Sequence, residues 1–171
     1  TGHMGWIGSR LFKQGDLGID MKNGDNLLYS PLPNADVVYH LAAQSSVENS
    51  WEDPVLDSYN LSMTVRLVHR YPYSRIIYTA SAATPNSSPY GFSKWAAAEY
   101  LKNFHKDYVI CTLPNVYGLG SRSVVDLFKN NDEVTIFGDG SAVRDYVHIE
   151  DIIRGLVIAQ NDPRTHWWIV R

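Results

Sequence analysis

The sequence predicts an α/β domain built on a doubly wound parallel sheet. Three observations predict it. Short apolar runs alternate with amphipathic stretches, the pattern of βαβ units. Glycines recur at Gly2, Gly5 and Gly8, directly ahead of the first amphipathic stretch. The run Val37-Val38-Tyr39-His40-Leu41-Ala42-Ala43 is apolar almost throughout, as a strand covered on both faces requires.

The elements follow in order. Residues 5–13 read as a short helix closed by Gln14-Gly15, and Leu17-Gly18-Ile19-Asp20 as a short strand. Residues 31–36 hold Pro31, Pro33, Asn34 and Asp36, which is turn chemistry, ahead of the strand at 37–43. Asp53-Pro54 opens a helix to about 69, with Leu56, Tyr59, Met63 and Leu67 on its apolar face. Residues 75–80 hold a strand centred on Ile76-Ile77-Tyr78. Pro89, favoured at the first helical position, opens a long helix to 104. Residues 108–113 read as a strand, 124–130 as a helix and 134–137 as a strand. Asp151 is expected to cap a helix to about 160, and residues 166–171 to form a last strand. No repeat, low-complexity segment or linker divides the chain, so residues 1–171 read as one domain. Thr1-Gly2 already sits inside a turn, so residues are expected to be missing from the start of the chain.

Composition narrows the function classes. With 44% hydrophobic and 19% charged residues the chain is ordinary for a soluble globular protein. A net charge of -3 gives no electrostatic case for nucleic acid or an anionic membrane. No apolar run reaches the length of a membrane span, and no leader precedes the first motif. The single cysteine, Cys111, sits in an apolar run and cannot form an internal disulfide, so a reducing cytoplasm is expected. No metal site is expected.

Gly2, Gly5 and Gly8 form G-x-x-G-x-x-G. One glycine permits a tight turn, one lets the backbone approach a pyrophosphate, and one allows close helix–sheet packing. The N–H groups near Trp6 and Ile7 then face the anion. Asp20 follows Gly2 at close to the roughly 20-residue spacing at which a carboxylate takes the adenosine ribose hydroxyls. No Arg directly follows Asp20, which favours NAD over NADP, although Lys22 puts a cation nearby.

Tyr90-Gly91-Phe92-Ser93-Lys94 is Y-x-x-x-K. Residues four apart share one helix face, so phenol and ammonium converge. An adjacent Lys⁺ is expected to lower the Tyr90 pKa and fit it as a general base toward a substrate hydroxyl. Ser81 lies at the C-terminal end of the preceding strand, where parallel sheets bind ligands, and can hold the substrate oxygen. Thr79 and Thr84 are lesser candidates.

Several segments resemble the extended short-chain dehydrogenases, the nucleotide-sugar epimerases and dehydratases. Residues 1–9 resemble the family's opening fingerprint, and His40-Leu41-Ala42-Ala43-Gln44 its H-L-A-A segment. Pro89-Tyr90-Gly91-Phe92-Ser93-Lys94 is similar to P-Y-G-x-S-K, and Asn115-Val116-Tyr117-Gly118 to the N-V-Y-G turn. Gly138-Asp139-Gly140-Ser141 with Arg144-Asp145-Tyr146-Val147-His148 is similar to the late G-D-G-S…R-D-Y-V-H segment. The resemblance implies a Rossmann-like fold with a small, reduced C-terminal substrate-binding region at about 115–148 and 162–171. It implies that Ser81, Tyr90 and Lys94 are catalytic. It implies that the backbone of Leu41, Ala42, Ala43 and Gln44 lines NAD, that Asn60 supports the site, and that Lys94 also holds the nicotinamide ribose. Ser81, Asn115 and Arg144 then take the substrate, a nucleotide-sugar, most readily a UDP-sugar.

Dehydratases of this family carry an acidic residue directly after the catalytic Ser or Thr. Here Ala82 and Ala83 follow Ser81, and the loop is closer to that of 4-epimerases. The implied reaction is 4-epimerisation through a transient keto-sugar. The alternatives are an NAD(P)H-dependent reductase of a nucleotide-linked keto sugar and, in a different class, a non-catalytic NAD-binding module. The resemblance also implies a homodimer through the helices carrying Met63 and Trp95, Ala98 and Leu101.

Overall fold

The computed structural model describes residues 1–121, 123–131, 133–135 and 139–168. Four parallel strands form the main sheet: β1 (Val37–His40), β2 (Arg75–Ser81), β3 (Tyr108–Leu113) and β6 (His166–Trp168), in the order β1-β2-β3-β6. A second parallel pair joins β4 (Asn115–Tyr117) to β5 (Tyr146–His148).

Helices α3 (Val55–Arg70) and α4 (Pro89–Phe104) cover one face of the main sheet. Helix α6 (Ile149–Ala159) covers the other, with α1 (Gly8–Leu11) beside it. The period-2 alternation of strands sorts the core. Ile76, Tyr78 and Ile110 pack with Leu67, Val68, Ala97 and Leu101 on the α3/α4 side. Ile77, Val109, Cys111 and Leu113 pack with Ile152, Leu156 and Ala159 on the α6 side. Each such fully buried aliphatic chain contributes roughly 1.5–3 kcal/mol relative to exposure. This explains why β2 and β3 read as continuous apolar runs.

Helix α4 has the bounds the sequence predicts. Ser88 caps it, its Oγ accepting from Gly91 N–H at 3.0 Å, and Pro89 stands in the first turn. Helix α5 (Val124–Asn130) and β3 also match. Six expectations are corrected. Residues 17–20 form no strand. Only Thr1-Gly2 lies between them and β1, with Gly2 N–H donating to Ile19 O at 2.9 Å and Leu41 N–H to Thr1 O at 3.2 Å. The first helix is four residues long rather than 5–13, because the glycine turn occupies residues 2–7. Residues 41–43 leave β1 to bond Thr1 instead of β2, and a short helix the sequence reading missed, α2 (Val47–Glu52), follows them. Helix α6 is capped by His148, whose Nδ1 accepts from Glu150 N–H at 3.4 Å; Asp151 stands inside the first turn. Residues 115–117, expected in a turn, pair with β5 instead. The expected strand at 134–137 is not formed at 134 and 135; residues 136–137, Gly138 of the late glycine segment, and 169–171 of the last strand lie outside the described residues.

Candidate functional site

At the glycine turn, two positions admit no other residue. Gly2 has φ +73, and a Cβ there would lie 2.6 Å from Ala42 N. A Cβ on Gly8 would lie 2.1 Å from Gly2 O. The turn closes through Gly5 N–H to Gly2 O at 3.1 Å and Ser9 N–H to Gly5 O at 2.9 Å. Among the described residues neither the Trp6 nor the Ile7 N–H has a protein acceptor. With only one helical turn behind them, these N–H groups, rather than a long helix dipole, make the anion cradle.

The turn forms one wall of a cavity of about 1060 Å³, at the upper end of the ~300–1,000 Å³ range for ligand sites. Gly2, Gly5, Trp6, Ile7 and Gly8 all line it, as does Asp20. Leu41, Ala42, Ala43 and Gln44 line it too, beside Gly2. The ten residues predicted from the glycine turn, the acidic residue and the H-L-A-A segment therefore converge. Asp20 is fixed by two backbone donors, Met4 N–H and Lys22 N–H, each at 2.9 Å. Its carboxylate keeps lone pairs for a diol. Lys22 Nζ donates to Met4 O at 3.1 Å and lines the same end. The free N–H groups, the glycine-only clearance and the carboxylate fit a dinucleotide.

A second cavity, of about 170 Å³, adjoins the first. Both are lined by Ile7, Leu41, Ala43, Thr79 and Val116. Ser81, Tyr90 and Lys94 meet in it. Parallel register carries β2 past β1 to Ser81, and α4 returns over the sheet with Tyr90 and Lys94 one turn apart. Ser81 Oγ accepts from Ala83 N–H at 3.1 Å, which leaves its hydrogen to turn toward Tyr90 in the same cavity. The expectation that Lys94 acidifies Tyr90 is corrected. Burial raises the Tyr90 pKa; the Ser81 hydrogen bond opposes this and the Asp57 charge adds to it. Lys94 is itself enclosed, and burial pulls its ammonium down to about 7. Its Nζ lies 4.3 Å from the centroid of the Tyr78 ring.

Other predicted residues lie elsewhere. Asn60 lines neither cavity. It works from behind: Oδ1 accepts from Gln44 N–H at 2.9 Å, and Nδ2 donates to Gln44 O at 3.2 Å and to Ser93 Oγ at 2.9 Å. It thus ties the cavity wall to α4. Asn115 and Arg144 are exposed and line neither cavity. The β4–β5 pairing brings their segments together, with Asn115 Nδ2 donating to Asp145 O at 3.2 Å. Sequence reasoning missed Asp126. Its carboxylate accepts from Gly118 N–H at 3.0 Å and from the Ser121 and Ser123 hydroxyls, which fixes the loop that closes the large cavity. The S-x-x-D spacing from Ser123 is a helix-start signal that could have revealed it. Tyr59 and Met63, read as core-facing, line the large cavity.

A sequence model described as the NAD dependent epimerase/dehydratase family matches residues 17–167. A putative UDP-glucose 4-epimerase of Methanocaldococcus jannaschii is 31% identical over 75% of this chain and 53% of its own length. A UDP-glucose 4-epimerase of Mycolicibacterium smegmatis is 33% identical over 72% of this chain and 50% of its own. The chain thus spans about half the length of these relatives. Among solved structures, a mutant UDP-glucuronic acid 4-epimerase from Bacillus cereus, in complex with NAD and a fluorinated UDP-sugar, superposes with TM-score 0.73 at 26% identity. That match covers 85% of this chain and 58% of the other. The UDP-N-acetylglucosamine 4-epimerase of Methanobrevibacter ruminantium shares the fold, with TM-score 0.80 at 22% identity over 99% of this chain and 74% of the other.

Proposed function

The chain belongs to the NAD-dependent epimerase/dehydratase family, and on that premise we propose that it acts as a nucleotide-sugar 4-epimerase, with a UDP-sugar as substrate. The observation that carries the reading is the meeting of Ser81, Tyr90 and Lys94 in a small cavity that shares walls with the dinucleotide-sized one. Bound NAD supplies a hydride acceptor that can return the hydride. The chain's own residues do the rest. The turn at Gly2, Gly5 and Gly8 holds the pyrophosphate through backbone N–H groups, and Asp20 takes the adenosine diol. Ser81 donates to the sugar 4-oxygen. Tyr90, as phenolate, accepts the 4-hydroxyl proton and later returns it. Lys94 would hold the nicotinamide ribose from the same small cavity. Ala82 and Ala83 offer no carboxyl group for elimination, which weighs against a dehydratase.

Asn115 and Arg144, on adjoining segments of the β4–β5 pair, take the nucleotide diphosphate, with Arg144 giving a charge-assisted contact. The substrate side of the domain is the region at about 115–148 and 162–171. The protein works as a homodimer. Val55 and Tyr59 of α3 and Phe92 and Trp95 of α4 leave apolar side chains exposed on the paired helices. No described helix is long and apolar enough to cross a membrane. Cys111 is buried and free, in keeping with a reducing cytoplasm.

The test is to incubate the purified protein with UDP-galactose and with UDP-glucose, with and without added NAD(H). Interconversion without net cofactor consumption is expected. Stoichiometric NADH consumption would replace this reading with a reductase, and binding without turnover with a non-catalytic module.

A further inference from the structure

The loop that closes the large cavity is tied to the glycine turn by contacts the proposed chemistry does not use. Trp6 Nε1 donates to Leu119 O at 3.0 Å. Arg10 Nη2 donates to the same carbonyl at 2.7 Å, while its Nη1 donates to Trp6 O at 2.8 Å. The guanidinium lies 5.1 Å from the centroid of the Trp6 ring. Leu119 is 88% exposed, so its carbonyl, not burial of its side chain, anchors it here. Behind it the loop is fixed by Asp126 through Gly118, Ser121 and Ser123. Trp6 lines the cavity on one side of the tie, and Gly120, next to Leu119, on the other.

We propose that Trp6 and Arg10 form a retention clamp on the Leu119 carbonyl that sets how long the dinucleotide stays bound. They are positioning residues, and the proposal rests on the reading that this cavity takes NAD. A bound dinucleotide leaves by parting the turn from the loop. Parting them breaks one neutral and one charge-assisted hydrogen bond to the Leu119 carbonyl. These contacts exist in the closed state and not in the opened one, so their loss speeds departure. Association rates vary much less than dissociation rates among variants of one site, so arrival changes little. A 4-epimerase regenerates its cofactor each turnover, so slow release suits the proposed reaction.

The experiment uses NADH fluorescence, chased with excess NAD, in wild type, Trp6→Phe and Arg10→Lys. Trp6→Phe keeps an aromatic ring and loses the indole N–H; Arg10→Lys keeps the charge and loses the fork. Dissociation should quicken about fivefold in Trp6→Phe, the scale of one neutral hydrogen bond, and about tenfold in Arg10→Lys. Association should stay within about twofold in both. Arg10 is exposed, so its variant is readable even if Trp6→Phe folds poorly. Unchanged dissociation, or equal changes in both rates, overturns the clamp. Wild type that binds no NADH at equilibrium overturns the cavity assignment itself, and the clamp with it.

Discussion

The Lys94 ammonium faces the Tyr78 ring, 4.3 Å from its centroid, while the Tyr78 hydroxyl donates to the Lys94 carbonyl at 3.3 Å. The ring recovers part of what the ammonium loses on leaving water, but burial dominates and the pKa falls to about 7. An unfolded chain holds this proton up to about 10.5 and the folded one only to about 7, so between those values the unfolded state binds more protons. Stability therefore rises with pH across that window. In ligand-free Lys94→Met the term disappears. The variant should gain stability over wild type as pH falls from about 10.5 to about 7, and the gain should level off below. Urea unfolding at a series of pH values reads this; parallel wild-type and variant curves between pH ~7 and ~10 would sink it.

Tyr90 lines only the smaller cavity, so its phenol can be removed without touching the dinucleotide walls. Tyr90→Phe should lose roughly 10²–10⁴-fold in turnover, the range for a positioned general base, while NAD affinity holds. Burial raises the phenol pKa, so activity should climb with pH until the phenolate forms. Ser81→Ala removes the hydrogen bond that favours the phenolate, and the rising limb should move to higher pH. A limb that stays in place would show that Ser81 does not tune Tyr90.

What was legible in the sequence is what neighbours along the chain determine. Helix α4 was readable to its ends because Ser88, Pro89 and the Tyr90–Lys94 spacing are local signals. The large cavity's walls were readable because glycine clearance is a backbone matter. The segment 17–20 is not a strand because Asp20 at its end caps the turn at Met21–Asn23, its side chain accepting from Lys22 N–H. The direction of the Tyr90 shift also failed. Spacing showed that Lys94 is near, but only the fold shows that Lys94 is enclosed against Tyr78. Asp126 escaped because its three donors come from a loop whose shape it creates.

The glycine turn makes a graded prediction. A Cβ on Gly8 would overlap Gly2 O at 2.1 Å, backbone against backbone, whereas one on Gly5 would stand 3.1 Å from the same atom. Gly8→Ala should cost about 1–3 kcal/mol of stability or more, the scale of overpacking, and abolish NAD binding. Gly5→Ala should be milder in both. Thermal unfolding and NAD titration of the two variants check the order, and a reversed order would mean that the turn reshapes freely.

Asp126 predicts an acid-side signature. The Ser121 hydroxyl first, then the Gly118 N–H and the Ser123 hydroxyl, pull its carboxyl down to about 2 from 3.8. A depressed carboxyl contributes stability that is complete above its unfolded value and lost as pH falls through its folded one. The loop should therefore loosen between about pH 4 and pH 2. Asp126→Asn lacks the titrating group, and the three donors that now share Oδ2 then meet at best a neutral amide oxygen. Its melting temperature should lie below wild type at neutral pH, and the gap should shrink toward zero across that acid window. A gap that stays constant down to about pH 2 would mean that Asp126 acts through shape alone, because a charge holding those donors must lose its advantage once it is protonated.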